Sequence, residues 1–267
     1  MTSATDTAPP SVEPPKPSTA LLPRMEEARV HEIETRGVHV YNWGVRAWHW
    51  LTVGCLFALG ITGYLIGSPL PSVGGEASEN FGFGYVRFIH FAAGMVLAVG
   101  FLWRVGMTFF ATPLHREIFL PRVDKPRFRH DLWAEMKWYM FLRKEPNPAV
   151  GHNPIAQLSM FFMFTLPTIF MIVTGLALYA QGAGEGTALD RLFGWVGPVL
   201  GGNQALHTYH HLMMWVIAAF TIVHIYAVVR ADVMSGQSTI SVIVGGYRYF
   251  RGKGHFHDED DKPGKDD

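Results

Sequence analysis

The stretch LHTYHHLMMWVIAAFTIVHIYAVVR, Leu206 to Arg230, is apolar over most of its length yet carries His207, His210, His211 and His224. As a helix it is long enough to cross a bilayer. At about 100° and 1.5 Å per residue, the step from His210 to His224 returns the second ring to within about 40° of the first, about 21 Å further along the axis. One helix face therefore offers an imidazole near each side of a membrane. Ionisable residues inside a span are costly and mark functional sites by default, so the two rings call for one explanation.

Working outward, three more apolar segments are long enough to span: Val45 to Gly67, Tyr85 to Phe110 and Pro154 to Tyr179. The expectation is an all-α integral membrane protein, a bundle of four transmembrane helices (residues 41–250) between disordered cytoplasmic tails at 1–40 and 251–267. The first tail crowds Pro9, Pro10, Pro14, Pro15 and Pro17 and has no apolar core of a secretory signal. Trp48, Trp50 and Tyr64 near the ends of the first segment suit interfacial belts. Pro167 predicts a kink in the third segment, which has no histidine. Between the second and third segments, residues 130–144 place Trp133, Met136, Lys137, Met140 and Phe141 at helical spacing, read either as an amphipathic helix on the membrane surface or as a solvated connector.

A formal net charge of +0 gives no support to nucleic-acid binding, which needs a concentrated basic surface. Cys55 is the single cysteine, so neither a disulfide framework nor a thiolate cluster can be built from this chain. The C-x-x-C-H signature of covalent haem attachment is also absent, so any haem is held by axial ligands and packing.

Basic residues gather in the central connection (Arg116, Arg122, Lys125, Arg127, Arg129, Lys137, Arg143, Lys144) and around the tails, while the other two loops are depleted. The positive-inside rule then puts both termini in the cytoplasm. Helix one enters from that side with His49, helix two enters from outside with His90, and helix four runs inward with His210 before His224. The four residues sort by depth into His90 with His210 and His49 with His224. Two bis-histidine haems need this arrangement, each iron taking one imidazole from each of two helices. Zinc wants ligands grouped at one centre, which two pairs at different depths do not supply.

Arg46 and Arg87 each stand one helical turn before a histidine, in Val45-Arg46-x-x-His49 and Val86-Arg87-x-x-His90. A guanidinium there can pair with a haem propionate or simply snorkel to the interface. His207, one turn outward from His210, can also reach a propionate. Gly54, Gly60, Gly63, Gly94 and Gly100 allow close approach of a macrocycle or of a neighbouring helix. His211, turned away from His210, faces a neighbour, a headgroup or a subunit. His31, His39, His115, His130, His152, His255 and His257 read as solvated surface.

The motifs Val45-Arg46-Ala47-Trp48-His49-Trp50, the run Thr62 to Val73 with Gly75-Glu76-Ala77, and Gly84-Tyr85-Val86-Arg87-Phe88-Ile89-His90-Phe91 resemble the b-type cytochrome subunit of membrane-bound nickel-iron hydrogenases. So do Gly151-His152-Asn153-Pro154-Ile155-Ala156-Gln157, His207-Thr208-Tyr209-His210-His211-Leu212, Met214-Trp215 and Gly246-Tyr247-Arg248. The likeness covers Tyr41 to about Phe250 and departs at Ala231, where an acid is expected.

The resemblance implies two b-type haems with His49, His90, His210 and His224 as axial ligands. It also implies a hydrogenase small (iron-sulfur) subunit and large (nickel-iron) subunit on the outer face of a bacterial cytoplasmic membrane. Electrons would pass from the small subunit through the outer and then the inner haem to a quinone; the chain itself performs no hydrogen chemistry. If the quinone's protons come from the cytoplasm, its site lies near His49 and His224, with Asn42, Tyr226 and Arg230 as wall residues. The alternatives are the cytochrome b subunit of a respiratory formate dehydrogenase and, from another class, a histidine-based metal-ion transporter.

Overall fold

The computed structural model describes residues 35–71, 81–110, 116–144, 151–235 and 238–251. The expectations of disorder for the outer parts of both tails, and the readings of His31, His115, His255 and His257, lie outside these residues. The elements are β1 (Thr35–His39), α1 (Trp43–Gly67), α2 (Gly82–Phe110), α3 (Pro126–Tyr139) and α4 (Pro154–Ala183). They continue with α5 (Ala188–Phe193), α6 (Val196–Leu200), α7 (Asn203–Ser235), α8 (Thr239–Gly245) and β2 (Tyr247–Arg251).

The helices α1, α2, α4 and α7 are long and apolar enough to cross a membrane, as the length of the apolar segments predicts. Their starts have chemical causes. Asn42 caps α1 by accepting from Val45 N–H at 3.0 Å, and Asn153 caps α4 by accepting from Ala156 N–H at 2.8 Å with Pro154 in the first turn. Each such cap is worth about 1 kcal/mol. Large side chains such as Phe57, Val99, Leu102, Phe109, Ile222 and Val233 stand exposed, the surface a bilayer would cover. The most enclosed span is α4, with 33% of its most apolar window buried against 11–17% in the others, so the helix without a histidine sits deepest.

Helix α4 is not uniform. Phe161–Thr165 form a π turn closed by Leu166 N–H to Phe161 O, immediately before Pro167. A proline at 167 has no N–H and its ring crowds the carbonyl four residues back, and the wider turn lies immediately before the residue at which the sequence predicts a kink.

Flanking segments differ from the sequence reading. Residues 35–39, assigned to the first tail, form β1, which pairs antiparallel with β2 from Thr35 opposite Arg251 to His39 opposite Tyr247. Val40 and Tyr41 follow as buried residues, with Val40 N–H bonded to Gly246 O at 2.9 Å. Because β1 precedes the first span and β2 follows the fourth, both flanks lie at one end of the bundle, called here the sheet end. Its core joins Val40, Tyr41, Val45 and Val242; at the opposite, loop end, Ala177, Val196 and Leu206 pack together.

Helix α3 covers the sheet end through Phe128, Glu135 and Trp138. Trp133, Met140 and Phe141, named for their spacing, are exposed. The helix ends in a Schellman turn, with Phe141 N–H to Trp138 O at 3.1 Å and Leu142 N–H to Lys137 O at 2.8 Å. Phe141 takes the left-handed position at φ 62°, where glycine is usual.

Candidate functional site

At the loop end, α2 and α7 bring His90 and His210 together with ring centroids 6.5 Å apart and planes at 72°. Two imidazoles bound to one metal ion from opposite sides, at about 2 Å per bond, carry their centroids about 6 Å apart. The separation of the rings would therefore leave room for one metal ion between them, with His90 and His210 as the residues to hold it.

Each ring is held on its other edge by a threonine. Thr62 Oγ on α1 lies 2.9 Å from His90 Nδ1 and donates its own proton to Ala58 O at 2.6 Å. Thr174 Oγ on α4 lies 2.7 Å from His210 Nδ1 and donates to Phe170 O at 2.7 Å. Both threonines are buried. The residue after each is glycine. A Cβ on Gly63 would meet His90 Cε1 at 3.2 Å, and one on Gly175 would meet His210 Cε1 at 3.3 Å. All four spans thus converge on this pair, two with imidazoles and two with Thr-Gly.

At the sheet end, His49 on α1 and His224 on α7 are close enough to interact electrostatically with each other and with His152. Their setting is apolar. Phe220 stacks on His224 at 5.5 Å and 27°, and His49 Nδ1 is buried without a hydrogen-bond partner among the described residues.

His152, read from sequence as solvated, belongs instead to a polar cluster beside this second pair. Its Nδ1 lies 3.1 Å from both Glu117 Oε2 and Tyr41 Oη, and its backbone N–H donates to Glu117 Oε2 at 2.9 Å. Gln157 Nε2 donates to His152 O at 3.0 Å, Asn153 Nδ2 to Glu135 Oε2 at 3.2 Å, and Arg248 Nη1 to Gly151 O at 3.1 Å. This explains why the Gly151 to Gln157 and Gly246 to Arg248 motifs occur in one chain: they are two sides of one buried network. Burial raises the Tyr41 phenol above its ordinary range, with the Glu117 carboxylate adding to the effect.

The remaining sequence candidates have distinct surroundings. Arg46, half-buried at the sheet end, donates Nη1–H to Val244 O at 2.5 Å and ties α8 to α1. Arg87 is exposed and lies over its own helix's Phe91 ring at 5.9 Å. His207 is exposed, with Nδ1 2.9 Å from Asn203 O. Among the proposed quinone walls, Asn42 caps α1 and Tyr226 is exposed. Arg230 is buried against Trp138, Tyr139 and Phe141 at 4.2, 4.9 and 4.6 Å, and donates Nη2–H to Trp138 O at 3.1 Å. Arg230 and Tyr226 both border Tyr139, while the described contact of Asn42 is its cap on α1. His211 faces a neighbour: a Cβ on Gly67 would meet its ring at 2.9 Å.

Sequence reasoning missed Thr62, Thr174, Glu117 and His152. The available signal was the Thr-Gly dipeptide, which recurs in the two spans that pack against the loop-end histidines. Among the described residues, no three His, Cys, Asp or Glu side chains gather as a metal cluster.

Residues 40–246 match the model of the family described as prokaryotic cytochrome b561. A probable Ni/Fe-hydrogenase B-type cytochrome subunit of Rhizobium leguminosarum bv. viciae is 51% identical over 219 residues, 82% of this chain and 92% of the relative. Its counterpart in Azotobacter chroococcum mcd 1 is 50% identical over 214 residues, covering 80% and 89%. The probable Ni/Fe-hydrogenase 1 B-type cytochrome subunit of Escherichia coli K12 is 44% identical, covering 79% and 90%. With its four spans and this extent of identity, the chain belongs to the prokaryotic cytochrome b561 family, as a multi-pass membrane cytochrome of the Ni/Fe-hydrogenase B-type group.

Proposed function

We propose that this chain anchors a nickel-iron hydrogenase in the bacterial cytoplasmic membrane and passes its electrons to a quinone. In this reading the loop end faces outward, against the iron-sulfur small subunit and through it the nickel-iron large subunit, and both termini are cytoplasmic. His90 with His210 and His49 with His224 each hold one b-type haem, which supplies a one-electron carrier when bound.

The observation that carries the reading is the His90–His210 pair, 6.5 Å between centroids with both Nδ1 atoms tied to neighbouring helices. Such ties leave Nε2 of each ring as the nitrogen with a lone pair to offer. Arg46 and Arg87 stand at the two membrane levels where a propionate would emerge, and His207 lies beside the outer one. A quinone taking two electrons also takes two protons. The half-buried His152 and buried Glu117 offer groups that exchange them at the sheet end, beside His49 and His224, where the sequence also puts Asn42, Tyr226 and Arg230.

The test is a reduced-minus-oxidised spectrum with pyridine haemochrome quantitation on the membrane-inserted wild type, His90→Ala and His224→Ala. Two b-type haems in the wild type, with one lost in each variant, is the expected result. A correctly inserted wild type without haem overturns the proposal.

A further inference from the structure

We propose that the dipeptides Thr62-Gly63 and Thr174-Gly175 are a matched pair of positioning devices that set the ring orientation, the protonated nitrogen and the basicity of His90 and His210. The inference rests on the haem reading given above and goes beyond it, because it assigns work to the two spans that carry neither histidine of the outer pair.

The argument begins with proton counting. A threonine hydroxyl has one proton. In both threonines that proton is committed to the carbonyl one turn back, at 2.6 Å to Ala58 O and 2.7 Å to Phe170 O. The oxygen facing the histidine can then only accept, so Nδ1 of His90 and Nδ1 of His210 each carry a proton and donate it, at 2.9 and 2.7 Å. In a neutral imidazole the lone pair is then at Nε2, the atom free to bind a metal.

A hydroxyl already donating to a carbonyl is polarised and accepts more strongly. Hydrogen bonding at Nδ1–H raises the electron density at Nε2 and makes the ring a more basic ligand. Glycine completes the device. Without a Cβ at 63 or 175 each ring settles with Cε1 against the helix backbone, within reach of the hydroxyl one residue earlier.

Among the described residues, no threonine hydroxyl is recorded on either ring of the sheet-end pair. His49 Nδ1 has no partner among the described residues and His224 lies on Phe220. More basic ligands favour the more oxidised metal, so the outer centre takes the lower reduction potential of the two. One electron leaving the outer centre oxidises it and reduces the inner one, with no bond broken and no proton moved. The Thr-Gly pairs thus make passage from loop end to sheet end run downhill.

The experiment is an equilibrium redox titration of the two haems in membranes holding wild type, Thr62→Val, Thr174→Val, Thr62→Ser and Thr174→Ser. The outer haem is identified as the component absent from His90→Ala. Valine keeps the shape and removes the acceptor; serine keeps the acceptor. The expected result is an upward shift of the outer potential in both valine variants, restoration by serine, and an unmoved inner potential. Unshifted outer potentials in both valine variants overturn the proposal, as does a wild-type outer haem with the higher potential. Should a valine variant lose the outer haem, its serine partner decides: retention with the wild-type potential supports the hydrogen bond, and loss overturns it. A wild type with no reducible haem instead sinks the functional reading itself.

Discussion

Thr174 Oγ sits 2.7 Å from His210 Nδ1, across the packed interface between the third and fourth spans. The span that has no histidine therefore reaches a candidate ligand ring directly.

The glycines beside the two threonines have little slack. Gly63→Ala or Gly175→Ala puts a methyl 3.2 or 3.3 Å from a ring carbon, so the ring or the helix must shift. The expected cost is about 1–3 kcal/mol of overpacking. It is read as reduced haem content and a lower thermal midpoint. Gly106→Ala, where a Cβ meets nothing within 4 Å, is the control and should leave both unchanged.

Arg230 fastens α3 to the fourth span by stacking on three rings and by holding the Trp138 carbonyl at the helix C-terminus. Arg230→Met should loosen α3 by about 1–3 kcal/mol. Arg230→Lys should recover little of it, because an ammonium cannot stack as a planar guanidinium does. Faster hydrogen exchange confined to residues 126–139 is the expected signature; unchanged exchange in both variants would remove the clamp.

Phe141 makes a separable contribution. At φ 62° it occupies a conformation that costs a side-chain residue about 1–2 kcal/mol, while its ring lies on Arg230. Phe141→Gly relieves the strain and loses the ring, so it should be nearly neutral. Phe141→Ala keeps the strain and loses the ring, so its thermal midpoint should be the lower of the two.

Alkaline pH should weaken the sheet end through Tyr41. Its folded phenol titrates above the unfolded value of about 10, so the neutral form contributes stability in full below that pH. The contribution is lost as pH rises from there through the folded value. Melting temperature in the wild type should fall across this range and late tyrosinate absorbance should appear; Tyr41→Phe should lose both. An equally steep fall in the variant would assign the effect elsewhere.

The spans and the depth of the four histidines are legible in the sequence because they depend on composition and on the fixed rotation of a helix. Thr62 and Thr174 are not, because a threonine in a span commonly donates to the carbonyl four residues earlier, as Thr208 does to Gln204 O and Thr221 to Ile217 O, and only the neighbouring helix distinguishes them. His152 was misread for a different reason. It stands in a polar connection, and its burial comes from Glu117 and Tyr41, residues 35 and 111 positions away. Strand β1 was hidden by being short and by pairing with β2 at the far end of the described chain.

The π turn at Phe161–Thr165 has an angular consequence. It holds one more residue than an α turn, so every side chain after it is rotated by about 100° from where an unbroken α-helix would aim it. Gln157, before the turn, addresses the sheet-end network, and Thr174, after it, addresses His210. A regular α-helix through these same residues would swing Thr174 off the ring, whereas deleting one residue from the turn would restore α geometry and leave Thr174 in phase. The turn works as a phase adjuster, letting one helix keep two appointments that regular geometry would not allow together.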